Sequence, residues 1–171
     1  MNLELMAMRW LRFEQKCMIV IMGRTPREIC GLPDVLGVNC NRFATEVEIK
    51  RSMADFRADG KKRCRTNRDY YIQKMPKHFY YLVPKALSEK VLAELPSWAG
   101  LLTVAERGGF RPIRVIQPSP VNKQSERYTI KECVRLAQKM GNQIISSEES
   151  RESIIAYTRP YEPYWQEDYS V

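Results

Sequence analysis

Asp34, Glu48 and Lys50 are the residues through which this chain could do chemistry. Asp34 follows Pro33 in the run Gly31–Val38, and Glu48 and Lys50 alternate with Val47 and Ile49 in the run Thr45–Lys50. The two runs read as short strands joined by a tight connection, Asn39 to Arg42, whose asparagines suit the positive-φ positions of a hairpin. A turn centred on Asn41 sets Asp34 directly across from Glu48, where facing Cβ atoms lie about 4.5–5.5 Å apart. Side chains alternate along a strand, so Glu46, Glu48 and Lys50 share one face while Val47 and Ile49 take the other. Two carboxylates held so close repel unless a proton or a cation neutralises them. A Mg²⁺-type ion meets that need, because hard cations take oxygen ligands.

Other chemistries are poorly supplied. The chain of 171 residues has one histidine, His78, which rules out a multi-histidine zinc site and leaves no nucleophile elbow for a serine triad. Its five cysteines (17, 30, 40, 64 and 133) form no C-x-x-C pair and read as buried thiols. A metal-dependent enzyme of this composition must bind its ion through carboxylates. The formal charge is +8, and it is unevenly spread. Residues 143–171 hold six acids and two bases, a net of −4, which leaves +12 on residues 1–142. Such a surplus favours a polyanionic partner, with nucleic acid the commonest. The longest apolar run, Cys17–Met22, is far below the roughly 20 residues that span a bilayer. The opening Met-Asn-Leu-Glu-Leu lacks the order of a secretion signal. The expectation is a cytoplasmic protein with no membrane partner.

The elements that must position these residues can be read in order. Residues 3–16 carry apolar side chains at helical spacing, and Cys17–Met22 is β-prone. After a loop from Gly23 to Cys30 comes the hairpin. Ser52 followed by Asp55 has the spacing of a helix N-cap, predicting a helix over 53–62. From Lys50 to Arg68 there are eight bases and two acids, a net of +6, with Tyr70, Tyr71, Phe79, Tyr80 and Tyr81 close behind. Bases beside aromatics suit a surface for phosphates and nucleobases, although Phe79–Pro84 itself reads as a core strand whose rings pack. Ala86–Leu95 predicts a helix ended by Pro96, and Trp98–Ala105 a buried strand. An Arg107–Gly109 turn then leads to a strand over 110–117. Thr129–Met140 predicts an amphipathic helix stopped at Gly141, followed by a second helical stretch over 143–157. The architecture expected is α/β, a mixed sheet flanked by helices, in one domain over 1–157 with an acidic, aromatic tail over 158–171.

Pro33-Asp34 followed by Glu48-Ile49-Lys50 is the pattern P-D…(D/E)-x-K, with a gap right for a hairpin and a basic helix behind it. The chain thereby resembles the PD-(D/E)XK nuclease superfamily, which has the restriction-endonuclease-like fold. The block Val47 to Asp59, with Phe79–Pro84 and Gly100-Leu101-Leu102, is similar to the MmcB-type DNA-repair proteins and to small phage proteins of that superfamily. The likeness covers roughly residues 9–117.

The resemblance implies a Mg²⁺- or Mn²⁺-dependent nuclease acting on DNA in repair, recombination or phage DNA metabolism. Asp34 and Glu48 would hold the metal, with the Ile49 carbonyl as a third ligand. Lys50 would position or help deprotonate the attacking water, or contact the phosphate. Many members add an acid from the first helix, for which Glu14 is the first candidate and Glu4 the second; Glu46 is a further possible ligand. Arg24, Arg51, Lys61, Lys62, Arg65 and Arg68 are candidates for phosphate contacts, on DNA or on RNA. Two other readings stay open. One is a DNA-binding module on the same fold that does not cut. The other is an interaction or inhibitor protein, or a homodimer, that engages its partner through the C-terminal tail.

Overall fold

The computed structural model describes residues 2–23, 25, 33–104 and 113–158. The chain starts with helix α1 (Leu3–Arg9), which continues as a π-helical turn, Trp10–Glu14. Strand β1 (Ile19–Met22) follows, then the hairpin of β2 (Val35–Val38) and β3 (Ala44–Ile49). Three helices, α2 (Met53–Gly60), α3 (Arg63–Thr66) and α4 (Arg68–Tyr71), lead to β4 (His78–Val83). A 3₁₀ turn (Lys85–Leu87) and α5 (Ser88–Ala93) lead to β5 (Gly100–Val104), then β6 (Ile113–Gln117) and the long α6 (Ile130–Thr158).

The six strands form one mixed sheet in the order β1-β2-β3-β4-β5-β6. The hairpin pairs β1–β2 and β2–β3 are antiparallel, β3–β4 and β4–β5 parallel, and β5–β6 antiparallel again. The parallel pairs need crossovers, and α2–α4 and α5 supply them. Phe56 of α2 and Val91 of α5 fall in one apolar cluster with Phe79, Tyr81, Val83 and Leu101, so both crossovers cover the same sheet face, as a common hand for successive crossovers requires. The other face carries Val35, Val47, Ile49, Tyr80, Leu82 and Leu102 under α1, with Trp10 edge-on to Tyr80 at 5.3 Å. A third cluster joins Ile21, Leu36 and Val38 to Tyr128 and Leu136 at the start of α6. Gly37 lets the π-helical turn and Cys17 come down on the hairpin, since a Cβ there would lie 2.7 Å from Cys17 Sγ.

The expected α/β architecture and most element positions hold, and the differences have local causes. The helix predicted to stop at Gly141 runs on to Thr158. A glycine stops a helix only by turning left-handed, and among the described residues the glycine with positive φ is Gly23. The α6 start is a reciprocal capping box: Thr129 Oγ1 accepts from the Glu132 amide, and Glu132 Oε2 accepts from the Thr129 amide at 2.7 Å. In the hairpin the positive φ falls on Arg42, at 64°, rather than on an asparagine. Asn39 instead closes the loop, its Oδ1 accepting from the Phe43 amide at 3.0 Å, and that closure carries the roughly 1 kcal/mol a left-handed arginine costs. The thiol reading also needs correction: Cys17 is buried, but Cys40 is exposed and Cys64 is disulfide-bonded. The Arg107–Gly109 turn and the tail beyond Thr158 lie outside the described residues.

Candidate active site

The hairpin register sets the site. Val35 pairs with Val47 and Val38 with Ala44, so one further step of the same ladder brings Asp34 opposite Glu48. The ladder cannot go further. Lys50 N donates to Leu82 O of β4, so the backbone groups of residue 49 point the other way, toward β2. There the next step of the ladder would fall on Pro33, which has no N–H to offer the Ile49 carbonyl and whose own carbonyl accepts from the Gly23 amide at 3.1 Å. The Ile49 amide is taken instead by the Asp34 carboxylate, with Oδ2 accepting at 2.7 Å. Pro33 and Asp34 thus end the strand pair in a fixed way: a carboxylate pinned beside a backbone carbonyl that has lost its ladder donor.

Glu48 and Lys50 point to the face covered by α2. Both are buried, at 4% and 5% exposure, and Lys50 Nζ donates to Glu48 Oε2 at 3.0 Å. Helix α2 is aimed at them by its N-cap: Ser52 Oγ accepts from the Asp55 amide at 3.1 Å, as the spacing predicted. One turn on, Asp59 enters the same space. Its Oδ1 accepts from Lys50 Nζ at 3.2 Å and pairs with Lys62; its Oδ2 accepts from the Tyr81 hydroxyl at 2.9 Å and from Arg65 Nε at 3.3 Å. Arg65 reaches on to Glu46 at 3.2 Å. Two strand acids, one helix acid and three cations are therefore interleaved.

This packing decides the protonation states. Burial pushes the Glu48 carboxyl up to about 7, helped by the charges of Glu46, Asp34 and Asp59 and only partly countered by Lys50. Burial would also raise Asp59, but the Lys62 hydrogen bond, Arg65, Lys50 and Tyr81 outweigh it and hold the group down to about 2. For Lys50, burial favours the neutral amine, yet Glu48 and Asp59 together raise its pKa above the ordinary value, so it stays an ammonium. Burial and the Asp59 charge raise the Tyr81 phenol, which keeps its proton and donates it. The site is thus a buried cluster in which Glu48 holds its proton more tightly than an ordinary carboxyl and Lys50 stays charged beside it.

The other candidate residues fall in different places. Glu14 ends the π-helical turn that leads into β1, about ten residues and roughly 15 Å of helix from Glu4. Glu4 lies by the end of β3 that carries Glu48 and Lys50, paired with Arg51 at 2.6 Å. Arg65 is not a phosphate contact in this arrangement: it is buried, bound by Asp59 and Glu46, and stacked over Phe79 at 4.1 Å. Arg68 is half-buried over the Trp98 ring at 4.4 Å. Arg51 and Lys61 are exposed and Lys62 is 39% exposed. Arg24 lies outside the described residues. Phe79, Tyr80 and Tyr81 are core rings, whereas Tyr70 is 84% exposed. The sequence did not single out Asp59 as a site residue. The available signal was its spacing of three from Phe56, which puts both on one helix face.

A divalent ion would find a sparse donor set. Among the described residues no three His, Cys, Asp or Glu side chains stand together as a metal site. Asp34, Glu48 and the Ile49 carbonyl offer two carboxylates and one backbone oxygen. That suits Mg²⁺, which keeps several waters and takes one or two carboxylates with substrate phosphates. Burial is the largest cause of the raised Glu48 carboxyl, and the charges of Glu46, Asp34 and Asp59 add to it.

No protein-family model matches the chain, and no curated protein matches it. Among solved structures it is similar to a protein of unknown function from Silicibacter pomeroyi, at 16% identity and a TM-score of 0.53, over 86% of this chain and 88% of that one. At that identity the similarity establishes a shared fold and nothing further. Among the described residues no helix is long and apolar enough to cross a membrane.

Proposed function

We propose that this chain is a metal-dependent nuclease of the PD-(D/E)XK type, hydrolysing DNA phosphodiester bonds in repair, recombination or phage DNA metabolism. The observation that carries the reading is the Asp34 carboxylate on the Ile49 amide at the point where Pro33 ends the ladder, with Glu48 beside it. Asp34, Glu48 and the Ile49 carbonyl would hold Mg²⁺ or Mn²⁺. Such an ion lowers the pKa of a bound water and offsets charge on the phosphate. Lys50, held as an ammonium, orients that water or the phosphate rather than removing a proton. The basic surface of Arg51, Lys61 and Lys62 would take the flanking phosphates, which position the strand without reading sequence.

The second reading is a DNA-binding module that does not cut. It is favoured by the pairing of Lys50 and Lys62 with Glu48 and Asp59, which balances much of the local charge without an ion. Plasmid nicking separates the two. The nuclease should relax supercoiled DNA with Mg²⁺ or Mn²⁺, stop in EDTA, and lose activity in Glu48→Gln and Lys50→Met. DNA retention that is steeply salt-dependent but indifferent to EDTA, with no nicking, would establish the module instead.

A further inference from the structure

We propose that Asp59 is a positioning residue of this site: it holds the Lys50 ammonium against Glu48. The chemistry of this role rests on the nuclease reading, while the geometry stands apart from it. The Asp59 side chain is wholly buried, and its two oxygens do different things. Oδ2 is held by Tyr81 of β4 and Arg65 of α3. Those two bonds already tie α2 to the sheet and to the next helix. Oδ1 takes two lysines, Lys50 and Lys62.

The two lysines differ in reach. Lys50 is 6% exposed and bridges Asp59 to Glu48, with 3.2 Å on one side and 3.0 Å on the other. Asp59 therefore sets where the ammonium sits relative to the carboxylate at the hairpin end. Lys62 is 39% exposed and lies 3.9 Å from Glu48. Arg65, at 1%, is enclosed, and Lys62 turns its ammonium inward onto Asp59. Helix anchoring alone does not account for a buried acid with so many cations, since well-packed apolar residues hold elements together at least as well as buried ion pairs.

The test uses the full chain with ¹⁵N-labelled lysine, without metal or DNA. Lys50 should give a protected ammonium cross-peak, assigned by its loss in Lys50→Met. It should persist in Asp55→Asn, whose carboxylate lies 4.0 Å away and half exposed, and should disappear or exchange at least about tenfold faster in Asp59→Asn. A Lys50 peak unchanged in Asp59→Asn overturns the proposal. Should Asp59→Asn fail to fold, the coupling across the hydrogen bond between Lys50 Nζ and Asp59 Cγ in the unsubstituted protein decides, its presence supporting the role and its absence refuting it. In nicking assays Asp59→Asn should lower kcat about 100-fold with KM little changed, and an unaltered kcat counts against the proposal. If the unsubstituted protein cuts nothing while the Lys50 peak depends on Asp59 as stated, the nuclease reading fails and the positioning role stands.

Discussion

Replacing Glu48 with glutamine should stabilise the metal-free protein at pH 8 and do little at pH 5. Burial and the neighbouring acids raise the Glu48 carboxyl from 4.5 to about 7. Its folded pKa therefore lies above its unfolded one, the reverse of the usual carboxylate. The folded chain keeps the proton across that window while the unfolded chain releases it, so stability falls as pH rises from about 4.5 to 7. A shift of this size corresponds to about 3 kcal/mol, fully felt above pH 7. Glutamine keeps the shape and an acceptor for Lys50 but removes the charge, and Lys50 retains Asp59 at 3.2 Å. The Asp59 carboxyl, held down to about 2, contributes stability above its ordinary 3.8 that is lost only as pH falls toward 2, so it is constant over this range. Urea unfolding in EDTA at pH 5 and pH 8 measures the difference, and the advantage of Glu48→Gln should grow by about 2–3 kcal/mol between them. A stability difference that does not change between pH 5 and pH 8 would refute the raised Glu48 carboxyl. Mn²⁺ at about 100 times its Kd should then add about 2.7 kcal/mol to the unsubstituted protein and nothing to the variant.

Three further outcomes test the framework. Gly141→Ala should stabilise the protein by about 0.5–1 kcal/mol in thermal unfolding, since the glycine is inside α6 with nothing within 4 Å of the new Cβ; destabilisation would restore the helix stop. Gly100→Ala should destabilise by about 1–3 kcal/mol, because its Cβ would lie 2.5 Å from the Tyr80 ring and 2.6 Å from the Ser119 backbone nitrogen, and a neutral result in urea titration would deny that close packing. Thr129→Ala removes the cap of α6 and should cost about 1 kcal/mol, visible as a lower melting temperature.

The local parts of the site were legible because they follow short-range rules. A period of two puts Glu46, Glu48 and Lys50 on one face, and a turn centred on Asn41 places Asp34 across from Glu48; the observed pairs Val35–Val47 and Val38–Ala44 have that register. The Ser52 cap is equally local. Arg65 was misread as a surface cation because composition cannot say which member of a basic run is covered, and burial against Phe79 is a contact across fourteen residues of chain. Gly141 was misread because a helix-stop glycine and a tolerated interior glycine have the same neighbours in sequence and differ only in φ.

What the sequence determined by itself is the set of charges and the alternation that gathers three of them on one strand, since both depend on residue type and a fixed backbone period. What only the tertiary structure decided is how those charges are neutralised. Asp59 arrives from a helix, Tyr81 from the next strand and Arg65 from a second helix, each brought by the parallel crossover that carries the chain from β3 to β4. Whether Glu48 is balanced or left in excess is a sum over neighbours that only the folded chain assembles, in a dry interior where each term counts far more than it would in water.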